Sequence, residues 1–138
     1  MPSELTVRAV SKGDMRISAT AGKHTLVMDY PLNGEEPAGM KPLEALMASL
    51  AGCVGSTVTL MLQRARQPVS GVEVIAHAKR RDEHPTVLTD IALEYLVSGT
   101  GVDPAAVERV IAAADEKVCP VYAMLKPGTR ISTSWKIC

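Results

Sequence analysis

The middle of the chain reads ALMASLAGCVGSTVTLMLQ, nineteen consecutive residues from Ala45 to Gln63 without a charged side chain. A helix of this length is long enough to cross a bilayer. Six of the residues are Ser, Thr or Gly, however, and no Trp or Tyr flanks either end, as aromatic residues do in membrane spans. We therefore interpret the stretch as the central helix of a soluble protein, apolar nearly all round because other elements cover every side. Its limits are predicted near Pro42 and Arg66, with Pro68 just beyond as a stop.

The composition favours one globular domain over residues 1–138. The chain is 46% apolar, its 15 basic residues balance its 15 acidic ones, and it has three Tyr, one Trp and no Phe. A chain of this length and apolar content is able to bury a core without disulfides or metals. Zero net charge and scarce aromatic rings argue against nucleic-acid binding. The core must consist of small aliphatic side chains, which lets neighbouring elements approach closely.

Apolar and polar residues alternate in short runs that predict strands, separated by turn residues. Three such runs lie in residues 1–30 and predict an antiparallel strand meander. A helical and sheet core follows in residues 40–138. Its further predicted elements are strands at 72–79 and 87–97, a helix from Pro104 to about Lys117, a short helical turn at 121–126 and a last strand at 129–137. The order βββ-α-ββ-α-β predicts an α+β fold with antiparallel sheets.

Cys53 lies midway along the central helix, where the small residues Ser49, Gly52 and Ser56 share one helical face. Glycine inside a helix costs about 1 kcal/mol relative to alanine, so Gly52 and Gly55 need a compensating contact. Close approach of another helix supplies one, and room for a substrate beside the sulfur supplies another. The residues alone leave two interpretations of Cys53 open: a small buried hydrophobic side chain, or a reactive thiol.

Cys119 directly precedes Pro120, which favours extended backbone at position 119 and a new helical turn after it. The thiol then lies near a helix N-cap, where free amides and the helix dipole lower the pKa of a thiol. The alternative is an inert cysteine at a helix break. Cys138, the last residue, is assigned no role.

The sequence lacks the motifs that mark several common kinds of functional site. The cysteines are isolated, and His24, His77 and His84 form no spaced pair with them, so no metal site is predicted. There is no glycine-rich phosphate loop and no nucleophile elbow, and no cofactor is predicted. Three cysteines, and a start that is neither basic nor apolar, favour a location in the reducing cytoplasm and no membrane anchoring.

Two motifs occur in order along the chain. The first is Pro-x-Glu-x-Leu at 42–46 running into Ala-Gly-Cys at 51–53, and the second is Glu-Lys-x-Cys-Pro-Val-x-x-Met-Leu at 116–125. Together with the alternating last strand, they resemble the OsmC/Ohr family of hydroperoxide-reducing proteins, and within it the YhfA-like branch. The similarity extends over nearly all of the chain and is strongest from Met40 onward.

The resemblance implies an intertwined homodimer, with two central helices packed against antiparallel sheets and with sites at the subunit interface. It also implies that Cys53 is the peroxidatic cysteine, whose thiolate attacks an organic hydroperoxide and becomes a sulfenic acid. Cys119 matches the resolving cysteine, which condenses with the sulfenic acid to form a disulfide. A dithiol reductant then restores both thiols, and the chemistry needs neither metal nor flavin.

Two further groups are candidates for the site. In the peroxidase branch of the family, a carboxylate ten residues before the first cysteine pairs with an arginine that stabilises the thiolate. Leu43 occupies that position here, and Glu44 lies nine residues before Cys53. We take Glu44, and Arg16 on the second predicted strand, as supporting groups.

The leading hypothesis is thiol-dependent reduction of organic hydroperoxides in defence against oxidative stress. Two alternatives stay open at this point. One is a non-catalytic dimeric module of the same fold that binds a small apolar ligand at the subunit interface. The other is a purely structural use of both cysteines.

Overall fold

A computed structural model describes residues 4–138. The chain divides into two compact units, one ending at Leu46 and the other beginning at Met47. The elements are β1 (Arg8–Ser11), β2 (Arg16–Ala21), β3 (His24–Asp29), α1 (Pro42–Arg64), β4 (Gly71–Arg80), β5 (Leu88–Ser98), α2 (Pro104–Ala113), a π-helical segment (Ala114–Val118), α3 (Pro120–Leu125) and β6 (Arg130–Ile137). The predicted α+β class and element order are confirmed. That the two units form a single domain over 1–138 stays a prediction.

The first unit contains the antiparallel sheet β1-β2-β3. The β2–β3 register runs from Arg16 opposite Asp29 to Ala21 opposite His24, so a tight turn connects the two strands. The following loop folds back on the end of β3, where the Ala38 N–H donates to a carboxylate oxygen of Asp29 over 2.9 Å. This contact holds the loop that leads to α1.

The second unit contains the sheet β4-β5-β6. Strands β4 and β5 are antiparallel, whereas β6 runs parallel to β5, from Asp90 opposite Arg130 to Val97 opposite Ile137. The sequence predicted antiparallel pairing throughout, and the β6 pairing differs from that expectation. Parallel neighbours need a long crossover connection, and α2, the π-helical segment and α3 together supply it.

The core of the second unit combines one face of the sheet with one face of each long helix. On β5, every second residue from Ile91 to Val97 is buried, as a half-buried strand requires. The helices contribute residues at three- and four-residue spacing. The core stripe of α1 consists of Leu50, Val54, Val58 and Leu62, and the buried residues of α2 are Ala106, Val107, Val110 and Ile111.

Helix α1 is less covered than its sequence predicts. Apart from the core stripe, its side chains are partly or fully exposed, including the face formed by Ser49, Gly52 and Ser56. Leu60 is 46% exposed. The expectation that other elements cover every side is wrong for the single chain, because the core of the second unit meets the helix on one side only.

The apolar character of α1 also satisfies the requirements for a membrane span. Among residues 4–138 it is the one helix that is long and apolar enough to cross a membrane. Its most apolar 18-residue stretch has a mean hydropathy of 1.8, and 22% of that stretch is buried. The core helix of a soluble protein meets the same requirements, so length and hydropathy do not separate the two cases.

Gly55 allows α1 to lie close to the sheet. A Cβ atom at this position would be 3.3 Å from Cγ2 of Val74 on β4, closer than an ordinary van der Waals contact. At Gly52, by contrast, a Cβ atom would meet nothing within 4 Å. The close approach that the helix glycines predicted is therefore present at Gly55, where the neighbour is a strand rather than a helix.

Candidate active site

Cys53 and Cys119 lie together, although 66 positions separate them in the sequence. Both are free thiols, and the Cys119 S–H donates to the Cys53 sulfur with 2.7 Å between the two Sγ atoms. A disulfide has a sulfur–sulfur bond of about 2.05 Å, so a two-electron oxidation of this pair would require only a small approach of the two sulfurs. Of the four predicted site residues, these two are brought together by the second unit.

The fold holds the two cysteines from different elements. Cys53 is partly exposed on α1, next to Val54 of the core stripe. Cys119 has extended backbone (φ −74°, ψ 113°) and caps α3, with its sulfur accepting from the Tyr122 N–H at 3.4 Å. The predicted helix start after Cys119 is therefore confirmed, and Pro120 occupies the first helical position.

The environment of Cys119 favours the protonated thiol. Burial raises its pKa to about 11, and donation to the Cys53 sulfur contributes in the same direction. The Tyr122 N–H lowers the pKa but does not offset burial, since the residue is only 2% exposed. The lowering that the N-cap position predicts is therefore present, but burial outweighs it and the pKa of this thiol is raised overall. Near neutral pH Cys119 is therefore a neutral thiol that acts as a hydrogen-bond donor to the Cys53 sulfur.

A polar network that the sequence did not predict lies just before Cys119. The Tyr95 hydroxyl donates to one carboxylate oxygen of Asp115 at 3.2 Å, and the Thr133 hydroxyl donates to the other at 2.9 Å. Burial raises the pKa of Asp115, while both hydrogen bonds lower it. Burial and the nearby carboxylate raise the pKa of Tyr95 far above its usual value.

One signal for this network was present in the sequence. The alternation along β5 places Tyr95 on the buried face, and a buried tyrosine hydroxyl normally has a hydrogen-bond partner. The identity of that partner depends on how the crossover returns to the sheet, which a sequence pattern does not specify.

Arg16 and Glu44 belong to the first unit. Arg16 begins β2, and its backbone N–H donates to a carboxylate oxygen of Asp14 at 3.0 Å. Glu44 lies in the first turn of α1, where its carboxylate accepts from the Lys41 N–H at 2.9 Å. That contact satisfies a backbone donor at the helix start, as the acidic residue of a capping box does. The supporting roles predicted for Arg16 and Glu44 stay predictions.

A metal ion would require several side chains that could together bind it. Within residues 4–138, no three His, Cys, Asp or Glu side chains lie together as a metal site requires. Cys138 is exposed.

Comparison with known proteins gives consistent matches. A family model described as OsmC-like protein matches residues 33–134. Protein YhfA of Escherichia coli strain K12 is 31% identical over 121 residues, which make up 88% of each chain. A hypothetical protein from Aquifex aeolicus VF5 has a solved structure that matches with a TM-score of 0.89 and 26% identity, over 99% of this chain and 98% of that one.

A more distant match concerns the fold alone. An organic hydroperoxide resistance protein from Elizabethkingia anophelis matches with a TM-score of 0.75 and 15% identity, over 100% of this chain and 99% of that one. The family model spans most of the chain and includes both cysteine motifs, and the YhfA match has similar extent. The resemblance that the two motifs predicted is thereby confirmed, and the chain belongs to the OsmC-like protein family.

Proposed function

We propose that the chain reduces organic hydroperoxides by a two-cysteine mechanism, with Cys53 as the nucleophile and Cys119 as the resolving thiol. The observation that carries the proposal is the 2.7 Å contact in which a protonated Cys119 donates to the Cys53 sulfur. A resolving thiol must lie within reach of the oxidised sulfur, and this contact meets that requirement. A protein of the same fold named for organic hydroperoxide resistance supports the choice of substrate class.

The reaction has three steps. The Cys53 thiolate attacks the terminal oxygen of the hydroperoxide, an S–O bond forms as the O–O bond breaks, and the alcohol leaves with a proton. Cys53 is then a sulfenic acid, and the Cys119 sulfur attacks it to form the disulfide with loss of water. A dithiol reductant exchanges with this disulfide, becomes oxidised itself and restores both thiols.

The proposed active form is a cytoplasmic homodimer. The exposed side of α1 carries Leu60 and the small residues Ser49, Gly52 and Ser56, which suits close contact with a second copy of the helix. A partner subunit that covers this face would bury the apolar surface without a membrane. Arg16 and Glu44 are the groups proposed to support the thiolate in this assembly.

The test uses a Cys138→Ser background, so that only two thiols remain to be counted. Reduced protein receives one equivalent of cumene hydroperoxide, and free thiols and the disulfide are measured by thiol titration and mass spectrometry. We expect two thiols to be lost for each chain, with one Cys53–Cys119 disulfide formed. Cys53→Ser should lose none, whereas Cys119→Ser should accumulate a sulfenic acid that dimedone traps. Unchanged thiols in the background protein would refute the proposal and favour a non-catalytic module.

Two additional measurements test the assembly and its supporting groups. Arg16→Ala should slow thiol loss, because it removes the cation proposed to support the Cys53 thiolate in the dimer. Arg16→Lys keeps the charge and should lose less. Sedimentation should show a dimer at micromolar concentration, and a species of monomer size would contradict a shared interface.

A further inference from the structure

The segment that delivers Cys119 to Cys53 has an unusual backbone. Residues Ala114–Val118 form a π-helical segment between α2 and α3, and the Cys119 N–H donates to the Ala114 carbonyl at 3.1 Å to close its last turn. Single π-helical turns are rare and frequently occur at functional sites. The wider π-helical turn ends at Cys119 and so determines how the backbone is oriented at that residue.

Asp115 connects this segment to two strands at once. One oxygen of its carboxylate accepts from Tyr95 on β5, and the other accepts from Thr133 on β6. Tyr95 is completely buried, so its hydroxyl is a fixed point of the core. The parallel pairing of β5 and β6 places Leu93 opposite Thr133 and Tyr95 opposite Trp135, which brings the two hydroxyls within reach of one carboxylate.

The carboxylate is held at an energetic cost. Asp115 is half-buried, and among residues 4–138 no lysine or arginine forms an ion pair with it. Burial raises its pKa, which means that the surroundings disfavour its charge. Two hydrogen bonds nevertheless join this carboxylate to β5 and β6, which ties the π-helical segment to the sheet.

We infer that Asp115 is a positioning residue, which fixes the π-helical segment to β5 and β6 so that the Cys119 thiol meets Cys53. The inference rests on the proposed two-cysteine chemistry and concerns its second step, the attack of Cys119 on oxidised Cys53. Asp115 lies four residues before Cys119 and touches neither sulfur nor substrate. Its effect is on the effective concentration of Cys119 at Cys53, and the first step, the attack on the hydroperoxide, does not depend on it.

The first test measures positioning without any peroxide. The Cys138→Ser protein and its variants are equilibrated in reduced and oxidised dithiothreitol, and the fraction of Cys53–Cys119 disulfide gives the equilibrium constant for closing the pair. Asp115→Ala should lower this constant on the order of tenfold, since misplacement of a reacting group commonly costs that much or more. Asp115→Asn should stay within about threefold of the parent, because its amide still accepts from Tyr95 and is able to donate to Thr133.

The matched control is Glu116→Ala, which changes an exposed acidic residue of the same segment and should leave the constant unchanged. Thr133→Val removes a single hydroxyl and should produce a smaller loss than Asp115→Ala. This variant keeps the test decisive if Asp115→Ala does not fold. Equal constants for the parent, Asp115→Ala and Thr133→Val would overturn the inference, as would an Asp115→Asn variant as impaired as Asp115→Ala.

The second test separates the two steps of the peroxide reaction. After one equivalent of cumene hydroperoxide, Asp115→Ala should consume Cys53 thiol at the parent rate but form the disulfide on the order of tenfold more slowly. Dimedone should therefore trap more sulfenic acid. Parent-like disulfide formation in Asp115→Ala would overturn the inference. If no variant reacts with peroxide, the proposed function fails, and the dithiothreitol constants still decide whether Asp115 positions Cys119.

Discussion

The two three-stranded sheets of the molecule differ sharply in what they bury. In the first unit, up to Leu46, only Ala19 and Asp29 are buried among the described residues of β1, β2 and β3. In the second unit, β5 alone buries five residues, among them Leu93 and Tyr95. A small sheet is stable by itself only when it has an apolar face to bury or a helix to cover it. The second unit meets that condition, and the first does not meet it within the single chain.

This difference separates the proposed tasks of the two units. The cysteine pair lies in the unit with the larger buried core, with Cys53 on α1 and Cys119 at the start of α3. Arg16 and Glu44 lie in the unit whose apolar side chains, such as Leu26 and Met15, are about half exposed. In the proposed homodimer, covering these side chains would also order the supporting groups. The proposed redox pair and its proposed supporting groups should then respond differently to mutation.

The largest expected effect is on stability in the second unit. Leu50→Ala removes a completely buried residue of the core stripe and should lower the free energy of unfolding by about 2–5 kcal/mol. The matched control Leu26→Ala, at a position that is 47% exposed, should cost less than about 1 kcal/mol. Urea denaturation followed by circular dichroism measures both. Equal losses would contradict the contrast between the two sheets.

The next effect concerns the buried thiol of the second unit. In Cys53→Ser, iodoacetamide should modify Cys119 at least about tenfold more slowly at pH 7 than the exposed Cys138, because only the thiolate reacts and burial, the largest cause of the raised Cys119 pKa, remains in this variant. The rate should rise about tenfold per pH unit until the pH approaches the raised pKa. Mass spectrometry distinguishes the two sites on the same chain, so Cys138 is the internal standard.

The raised pKa of Cys119 also predicts how the stability of the folded protein changes with pH. The folded value lies above the ordinary thiol value of about 8.5, so the contribution of Cys119 to the stability of the reduced protein is complete below that pH. It decreases as the pH rises from about 8.5 to 11. A reactivity profile for Cys119 that matches the profile of Cys138 would contradict the burial argument.

The smallest effect is expected in the first unit. Glu44→Ala removes the carboxylate that accepts from the Lys41 N–H and should lower stability by about 0.5–1 kcal/mol. Glu44→Gln keeps an acceptor and should remain close to the parent in thermal unfolding. If Glu44 also supports the thiolate, Glu44→Gln should still slow the loss of thiols to cumene hydroperoxide. A parent-like rate in that variant would restrict Glu44 to helix capping.

Local patterns predicted most of the fold because the relevant forces act over a few residues. Alternation along β4 and β5, Pro42 at the start of α1 and Pro120 after Cys119 each placed an element within a few positions of its observed limits. The direction of β6 was not predicted correctly. Its pairing with β5 depends on where the crossover returns to the sheet, and an alternating strand has the same pattern in either direction.

The site was predictable only in part. The two cysteine motifs identified Cys53 and Cys119 through a family resemblance, and no local pattern brought the two sulfurs together. The direction of the Cys119 pKa was wrong because burial is a property of the assembled core, whereas the N-cap is visible in the sequence. The contact of Asp115 with Tyr95 and Thr133 joins three separate elements, so no spacing rule would have found it.

The close contact between Gly55 and Val74 has a consequence for how this thiol could vary among related proteins. Cys53 lies two residues before Gly55 on the same helix, so the depth at which α1 rests on β4 also fixes the height of the Cys53 sulfur above the sheet. That depth depends on the size of two unreactive residues, Gly55, which has no side-chain carbon, and Val74. Differences in thiol reactivity between homologues should therefore be sought at these two positions as well as at the cysteines.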